Sequence, residues 1–158
     1  MTVRRKGGVA MQEDCLIRIH TVQTMDGKQE TLDITSHAAL QGEEPDYTIT
    51  YPDEGGELDG CVTQLHVKDG RCVTISREGA YETQMILEPS VRHISHHQTP
   101  FGSFMLGVSA LQVQSNMKRN GGTLRFRYCT DVDMVPLGEF SFDIQLTKPE
   151  PSSAPAAQ

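Results

Sequence analysis

Two Asp-Gly pairs, Asp26-Gly27 and Asp69-Gly70, each sit at the centre of a run of alternating residues. A tight type I′ turn needs positive φ at both central positions, which Gly, Asn and Asp tolerate and most residues do not. Asp-Gly between alternating runs is therefore a hairpin, and the turn sets which side chains share a face. A two-residue turn at Asp26-Gly27 pairs Met25 with Lys28, Thr21 with Leu32, Ile19 with Ile34, Ile17 with Ser36 and Cys15 with Ala38. The opposite face pairs Arg18 with Thr35 and His20 with Asp33, an ion pair when the His is protonated. The same count at Asp69-Gly70 pairs Val67 with Cys72, Leu65 with Thr74 and Thr63 with Ser76. Its other face pairs His66 with Val73, Gln64 with Ile75 and Val62 with Arg77, so both faces come out mixed.

Period-2 alternation continues along the chain. Tyr47, Ile49 and Tyr51 form one run, Met85 and Leu87 another. Leu124, Phe126 and Tyr128 pair with Phe140, Phe142, Ile144 and Leu146 across the loop at 132–138, which brings Arg127 near Asp143. Phe104, Leu106 and Val108 start a strand whose phase shifts to Leu111 and Val113, and a bulge near Ser109 and Ala110 accounts for the shift. The pattern predicts an all-β fold, an antiparallel up-and-down (meander) β-barrel of about 8–10 strands, since consecutive strands lie side by side.

At 158 residues the chain makes one domain. The barrel is expected over residues 13–148. Residues 1–12 read as an unstructured N-terminal extension, with Met11 a candidate start that intact-mass measurement would decide. Residues 149–158 read as a disordered Pro/Ala/Ser tail. A 37% hydrophobic fraction without Trp is lean for a solid core, and suits a barrel with a polar or partly hydrated interior. A net charge of −7 argues against nucleic acid and anionic membrane as partners. No apolar run is long enough for a membrane span and no signal-peptide core is present, so a cytoplasmic location is expected.

The four cysteines, Cys15, Cys61, Cys72 and Cys129, lack Cys-x-x-Cys spacing and read as free thiols of a reducing compartment. His93, His96 and His97 would offer metal ligands on a helix. The β-branched Val91 and Ile94 favour a strand, where His93 and His97 share a face with Cα atoms about 13 Å apart. One ion cannot bridge that distance, and no metal site is assigned. Arg77 shares a strand face with Val73 and Ile75. It is either a barrel-mouth Arg paired with a carboxylate or an anion anchor, because a guanidinium offers a fork of donors to a carboxylate or phosphate. The acidic stretch at 53–57 after Tyr51 is a strand connection able to gate a barrel mouth. Thr99-Pro100-Phe101-Gly102 and Asn120-Gly121-Gly122 are turns. No nucleophile elbow, phosphate loop, dinucleotide fingerprint or paired-carboxylate motif occurs.

In order along the chain stand Tyr51 with its acidic loop, Gly60-Cys61-Val62-Thr63, the Asp69-Gly70 turn, Ser76-Arg77-Glu78-Gly79, Thr99-Pro100-Phe101-Gly102, Gly121-Gly122 and Tyr128. This order resembles the YwiB-like family, uncharacterised small bacterial proteins described as a domain of unknown function, over roughly residues 14–147. The resemblance implies a lipocalin-like (calycin) barrel and no activity. The chain departs from the family at Pro52, where an acidic residue is usual, and in the histidine cluster.

The leading expectation is a non-enzymatic barrel that binds a small apolar or anionic molecule, with Arg77, Tyr128, Tyr51 and Thr63 as candidate lumen contacts. A second is an interaction protein that uses its barrel surface or forms a homodimer. An enzyme using lumen His, Arg and Tyr ranks third, and no catalytic residue or cofactor is assigned.

Overall fold

In the computed structural model residues 15–149 are described in full, together with the backbone of residues 3–6 and 9–11. Strands β1 (Val3–Lys6) and β2 (Val9–Met11) pair antiparallel in a small sheet apart from the rest. Sequence reading assigned no strand there. The remaining parts of the expected extension, and of the expected tail from residue 150 on, lie outside the described residues.

Ten strands follow: β3 (Cys15–Met25), β4 (Lys28–Glu43), β5 (Asp46–Pro52), β6 (Val62–Lys68), β7 (Cys72–Glu78), β8 (Glu82–Leu87), β9 (Arg92–Thr99), β10 (Gly102–Lys118), β11 (Gly121–Val132) and β12 (Val135–Thr147). Each pairs antiparallel with the next, and β12 returns to pair with β3, so the sheet closes into the expected up-and-down barrel. Among the described residues the sole helical element is a 3-10 turn, Gly56–Leu58.

The first hairpin has the register read from sequence, from Met25 opposite Lys28 to Cys15 opposite Ala38. Asp26 and Gly27 have φ of 52° and 74°, as a type I′ turn requires. His20 Nδ1 lies 2.7 Å from Asp33 Oδ1.

The second hairpin differs by one residue. Lys68 pairs with Cys72 across a three-residue loop, Asp69-Gly70-Arg71, in which the Arg71 amide donates to the Lys68 carbonyl at 3.2 Å. A tertiary contact holds the longer loop. The Gly70 amide donates to the Pro45 carbonyl at 2.8 Å, and the Asp69 amide donates to Asp46 Oδ1 at 3.2 Å. A one-residue slip exchanges partners all along the ladder. Val67 now faces Val73, Leu65 faces Ile75 and Thr63 faces Arg77, so the inner face becomes apolar except at its last pair.

A third register also shifts. Asp133 and Met134, both at positive φ, make a tight turn that pairs Val132 with Val135. Leu137 is then an extra residue, because Asp131 pairs with Pro136 and Thr130 with Gly138. Arg125 rather than Arg127 therefore meets Asp143, at 3.3 Å, and Arg127 lies 3.9 Å from Glu139. The expected bulge in β10 falls at Leu111, between Ala110 opposite Tyr128 and Gln112 opposite Arg127.

The interior is filled with side chains. Ile17, Ile19, Ile49, Val67, Val73, Leu87, Val108, Leu124, Phe126 and Ile144 are all buried in one core. The partly hydrated interior expected from composition is replaced by a packed one, because the apolar residues are concentrated on the inward rows. One end of the barrel is closed by the turn between β4 and β5, which carries a cis Glu44–Pro45 peptide. The Glu44 amide donates to the Met117 carbonyl at 3.0 Å and the Met117 amide to Glu44 Oε2 at 2.9 Å. Ser115 Oγ donates to the same carboxylate, and Tyr47 hydroxyl lies 2.5 Å from Ser115 Oγ.

On the outer wall Arg92 and Asp131 form a two-pronged pair, with bonds of 3.0 Å and 2.7 Å, directly over Gly107. A Cβ at Gly107 would lie 2.5 Å from Asp131 Oδ2. Gly107→Ala is expected to split the pair and destabilise the barrel by about 1–3 kcal/mol through overpacking. Urea denaturation measures this, and an unchanged midpoint would show that the pair moves aside freely.

Candidate functional site at the barrel mouth

Strand direction alternates, so the loops at 26–27, 53–61, 79–81, 100–101 and 133–134 gather at the end opposite the Glu44 closure. Just below them one ring of cross-strand partners runs along the inner face. Tyr51 pairs with Thr63, Thr63 with Arg77, Arg77 with Thr83, Thr83 with His97 and His97 with Phe104. Below it the rows are apolar, as in Ile49, Leu65, Ile75 and Met85. The polar ring marks where the solid core ends.

Arg77 is held through its Nε. Its Nε donates to Thr63 Oγ1 at 3.1 Å and lies 3.5 Å from Asp53 Oδ2. Thr63 Oγ1 donates in turn to Asp53 Oδ2 at 2.6 Å. Asp53 is fixed in turn by its backbone, which donates to Cys61 O at 2.8 Å and accepts from the Gly60 amide at 3.1 Å. The acidic loop thus supplies the carboxylate partner that one reading of Arg77 anticipated. The Arg77 side chain remains 22% exposed and that of Asp53 10%.

The tyrosines lie behind this group. Tyr51 is 5% exposed, and burial with the nearby Asp53 charge pushes its phenol up to about 12, against the pull of Arg77 and Thr63. Tyr128, equally buried, is pushed up by burial as well; Arg77 opposes the shift and Tyr51 adds to it. Tyr128 stacks with Phe140 at 5.1 Å between ring centroids. Both phenols stay protonated at neutral pH.

An open cleft of about 750 Å³ adjoins the ring, lined by Arg77, Thr83, His97 and Phe104 together with outward-row residues such as Gln84 and Met105. It touches both faces because it lies at the β8–β9 seam, where only Glu82, Thr83 and Gln84 pair with Gln98, His97 and His96. Arg77 is thus the one candidate residue lining the cleft, while Tyr51, Thr63 and Tyr128 stand behind it. Glu78 and Glu82 also line it, so its charge is mixed.

Three cleft residues escaped sequence reading as site members. His97 was seen only within the histidine cluster, Phe104 only as a strand residue, and Thr83 was not singled out. Their signal was the register itself, since all three share Arg77's row. Burial, with the charge of Arg77 and then His96, lowers the His97 pKa. The ring stacks on Phe104 at 5.2 Å with planes 6° apart. Thr83 Oγ1 is buried with no hydrogen-bond partner among the described residues.

The other histidines disperse. His93 bonds to Glu88 Oε1 at 3.0 Å, and His96 lies on the opposite face. Among the described residues no group of His, Cys, Asp and Glu is placed to hold a metal ion. Cys61, Cys72 and Cys129 are free thiols, and burial raises the pKa of Cys72 and Cys129. No helix of the described residues is long and apolar enough to cross a membrane.

The family described as Domain of unknown function (DUF1934) matches residues 17–144. No curated protein matches the chain. Among solved structures, the crystal structure of the ywiB protein from Bacillus subtilis is similar, with a TM-score of 0.75 at 19% identity. The likeness covers 86% of this chain and 92% of that one, and it carries the barrel fold alone.

Proposed function

The chain belongs to the DUF1934 family, a domain without an assigned function, and from that premise we propose a non-enzymatic, lipocalin-like barrel that binds a small molecule at its mouth. The supporting observation is Arg77, braced by Thr63 and Asp53 on the wall of an open cleft. Both bracing contacts use Nε, one of five N–H donors on a guanidinium. The terminal nitrogens remain for an anionic or strongly accepting oxygen of the ligand, and Phe104 and Met105 offer an apolar wall to its body. The Ser–His contact beside them, Ser95 Oγ at 2.9 Å from His97 Nε2, has its hydroxyl buried and turned to the Gln84 carbonyl at 2.8 Å rather than towards the cleft, which favours binding over catalysis.

Native mass spectrometry of gently purified protein, followed by calorimetry with small carboxylates, tests this. Arg77→Ala is expected to weaken carboxylate binding by about 10-fold or more, the worth of one charge-assisted hydrogen bond. Arg77→Lys keeps the charge without the fork and should recover part of the loss. Equal affinity in all three proteins would remove Arg77 from the site.

A second reading, association through the barrel exterior or as a homodimer, is supported by Ile94 and Met105, exposed on the outer wall of β9 and β10. Light scattering over a concentration series decides it, and a monomer throughout would exclude self-association.

A further inference from the structure

Ser95 Oγ lies 2.8 Å from the Gln84 carbonyl and 2.9 Å from His97 Nε2. A carbonyl only accepts, so the single hydroxyl proton of Ser95 goes to Gln84. Ser95 must then accept from His97, which places the ring proton on Nε2 and leaves Nδ1 as a bare acceptor. Ser95 is 1% exposed, so this lock sits inside the wall, out of competition with water. Burial, Arg77 and His96 all disfavour the doubly protonated ring, which keeps that acceptor available at neutral pH.

The ring of cross-strand partners then has a chemical order. Arg77 donates, Thr83 follows with an unpartnered hydroxyl, and His97 accepts. Neighbouring strands lie about 4.8 Å apart, so the first and third positions are roughly 10 Å apart at their Cα atoms. Once the side chains extend, that gap suits one small molecule. Phe104, stacked on His97 and 48% exposed, adds a flat apolar surface beside the acceptor.

We infer that the mouth selects aromatic hydroxy acids and their close analogues: the carboxylate meets Arg77, the hydroxyl donates to His97 Nδ1, and the flat body lies along Phe104. This rests on the reading of the mouth as a small-molecule site. An acid lacking the hydroxyl leaves the His97 acceptor unmatched and binds more weakly.

Two probes, mandelate and phenylacetate, differ in that hydroxyl alone and allow a calorimetric test on the full chain. Mandelate is expected to bind about 10-fold more tightly than phenylacetate. His97→Phe keeps a ring against Phe104 and removes the acceptor, and should bring mandelate down to the phenylacetate level. Arg77→Ala should weaken both. If the two acids bind equally and both respond to Arg77→Ala, the anion site stands and the hydroxy-acid selection is overturned. If neither saturates the wild-type protein, the mouth fails as a site for such acids and the inference fails with it. Nitrogen NMR of the His97 ring reads the tautomer without any ligand: a proton on Nε2 is expected, and a proton on Nδ1 overturns the lock.

Discussion

Raising the pH from about 10 towards 12 is expected to unfold the barrel, with stability lost steadily across that window. Tyr47 and Tyr51 are 2% and 5% exposed, and burial is the leading cause that pushes both phenols up to about 12 from their ordinary value of 10.0. The sign follows from which form the fold accepts. A raised phenol pKa means that the folded state keeps a proton the unfolded chain would release. The stabilisation is therefore complete below the unfolded value near 10 and gone once pH passes the folded value. Two pKa units correspond to about 2–3 kcal/mol for each residue, a large part of the ~5–15 kcal/mol that holds a domain together. Tyr128, shifted in the same direction, adds to the loss. Denaturant midpoints at about pH 8, below the window, and at about pH 10 and 11 within it, followed with tyrosinate absorbance, measure this. Tyr51→Phe should flatten the slope by one residue's share. A midpoint that stays level while the tyrosines ionise would show that water already reaches them.

Phe126→Ala is expected to destabilise the protein by about 3–5 kcal/mol. Phe126 is 1% exposed, and its ring lies 5.0 Å from Phe142 and 6.3 Å from Tyr128 between centroids. Removing it opens a cavity that stiff β-strands cannot collapse, and it takes away two stacked partners. Phe126→Leu fills most of the volume and should cost less than about 1.5 kcal/mol. A loss below ~1 kcal/mol for the Ala variant would mean that the aromatic cluster repacks without it.

The fold was legible in the sequence because a barrel is built of hairpins and a hairpin is announced at its turn. Asp26-Gly27 joins nothing but its own strands, so local turn chemistry set that register alone. Asp69-Gly70 is the same dipeptide, yet it also receives the Pro45 carbonyl and the Asp46 carboxylate. A distant segment thus decides whether the loop has two residues or three. A local signal existed all the same: only the three-residue loop makes one face of that hairpin apolar. At Asp133-Met134 the turn was hidden because neither residue is Gly, and that tight turn together with the extra Leu137 sets Arg125 rather than Arg127 opposite Asp143.

The site was less legible than the fold. Arg77 stood out as a charge in an apolar row, and Tyr51 and Thr63 were named with it as candidate contacts, yet the two-residue turn put Val62 opposite Arg77 where the structure puts Thr63. Asp53 was passed over as part of a solvated connection, since nothing local shows that residue 53 folds back onto residue 63. His97, Thr83 and Phe104 join Arg77 only through three successive strand registers, each of which had to be known first.

Closure through β12 and β3 has a consequence for how the molecule is made. Residues 15–25 leave the ribosome early, and the strand that covers their far edge, residues 135–147, leaves late. For most of synthesis the nascent chain is an open, curling sheet with an adhesive border of free amides and carbonyls. Ring closure brings together segments more than a hundred residues apart, the slow kind of contact in β-proteins. The sheet can become a barrel only when its last strand, residues 135–147, is available.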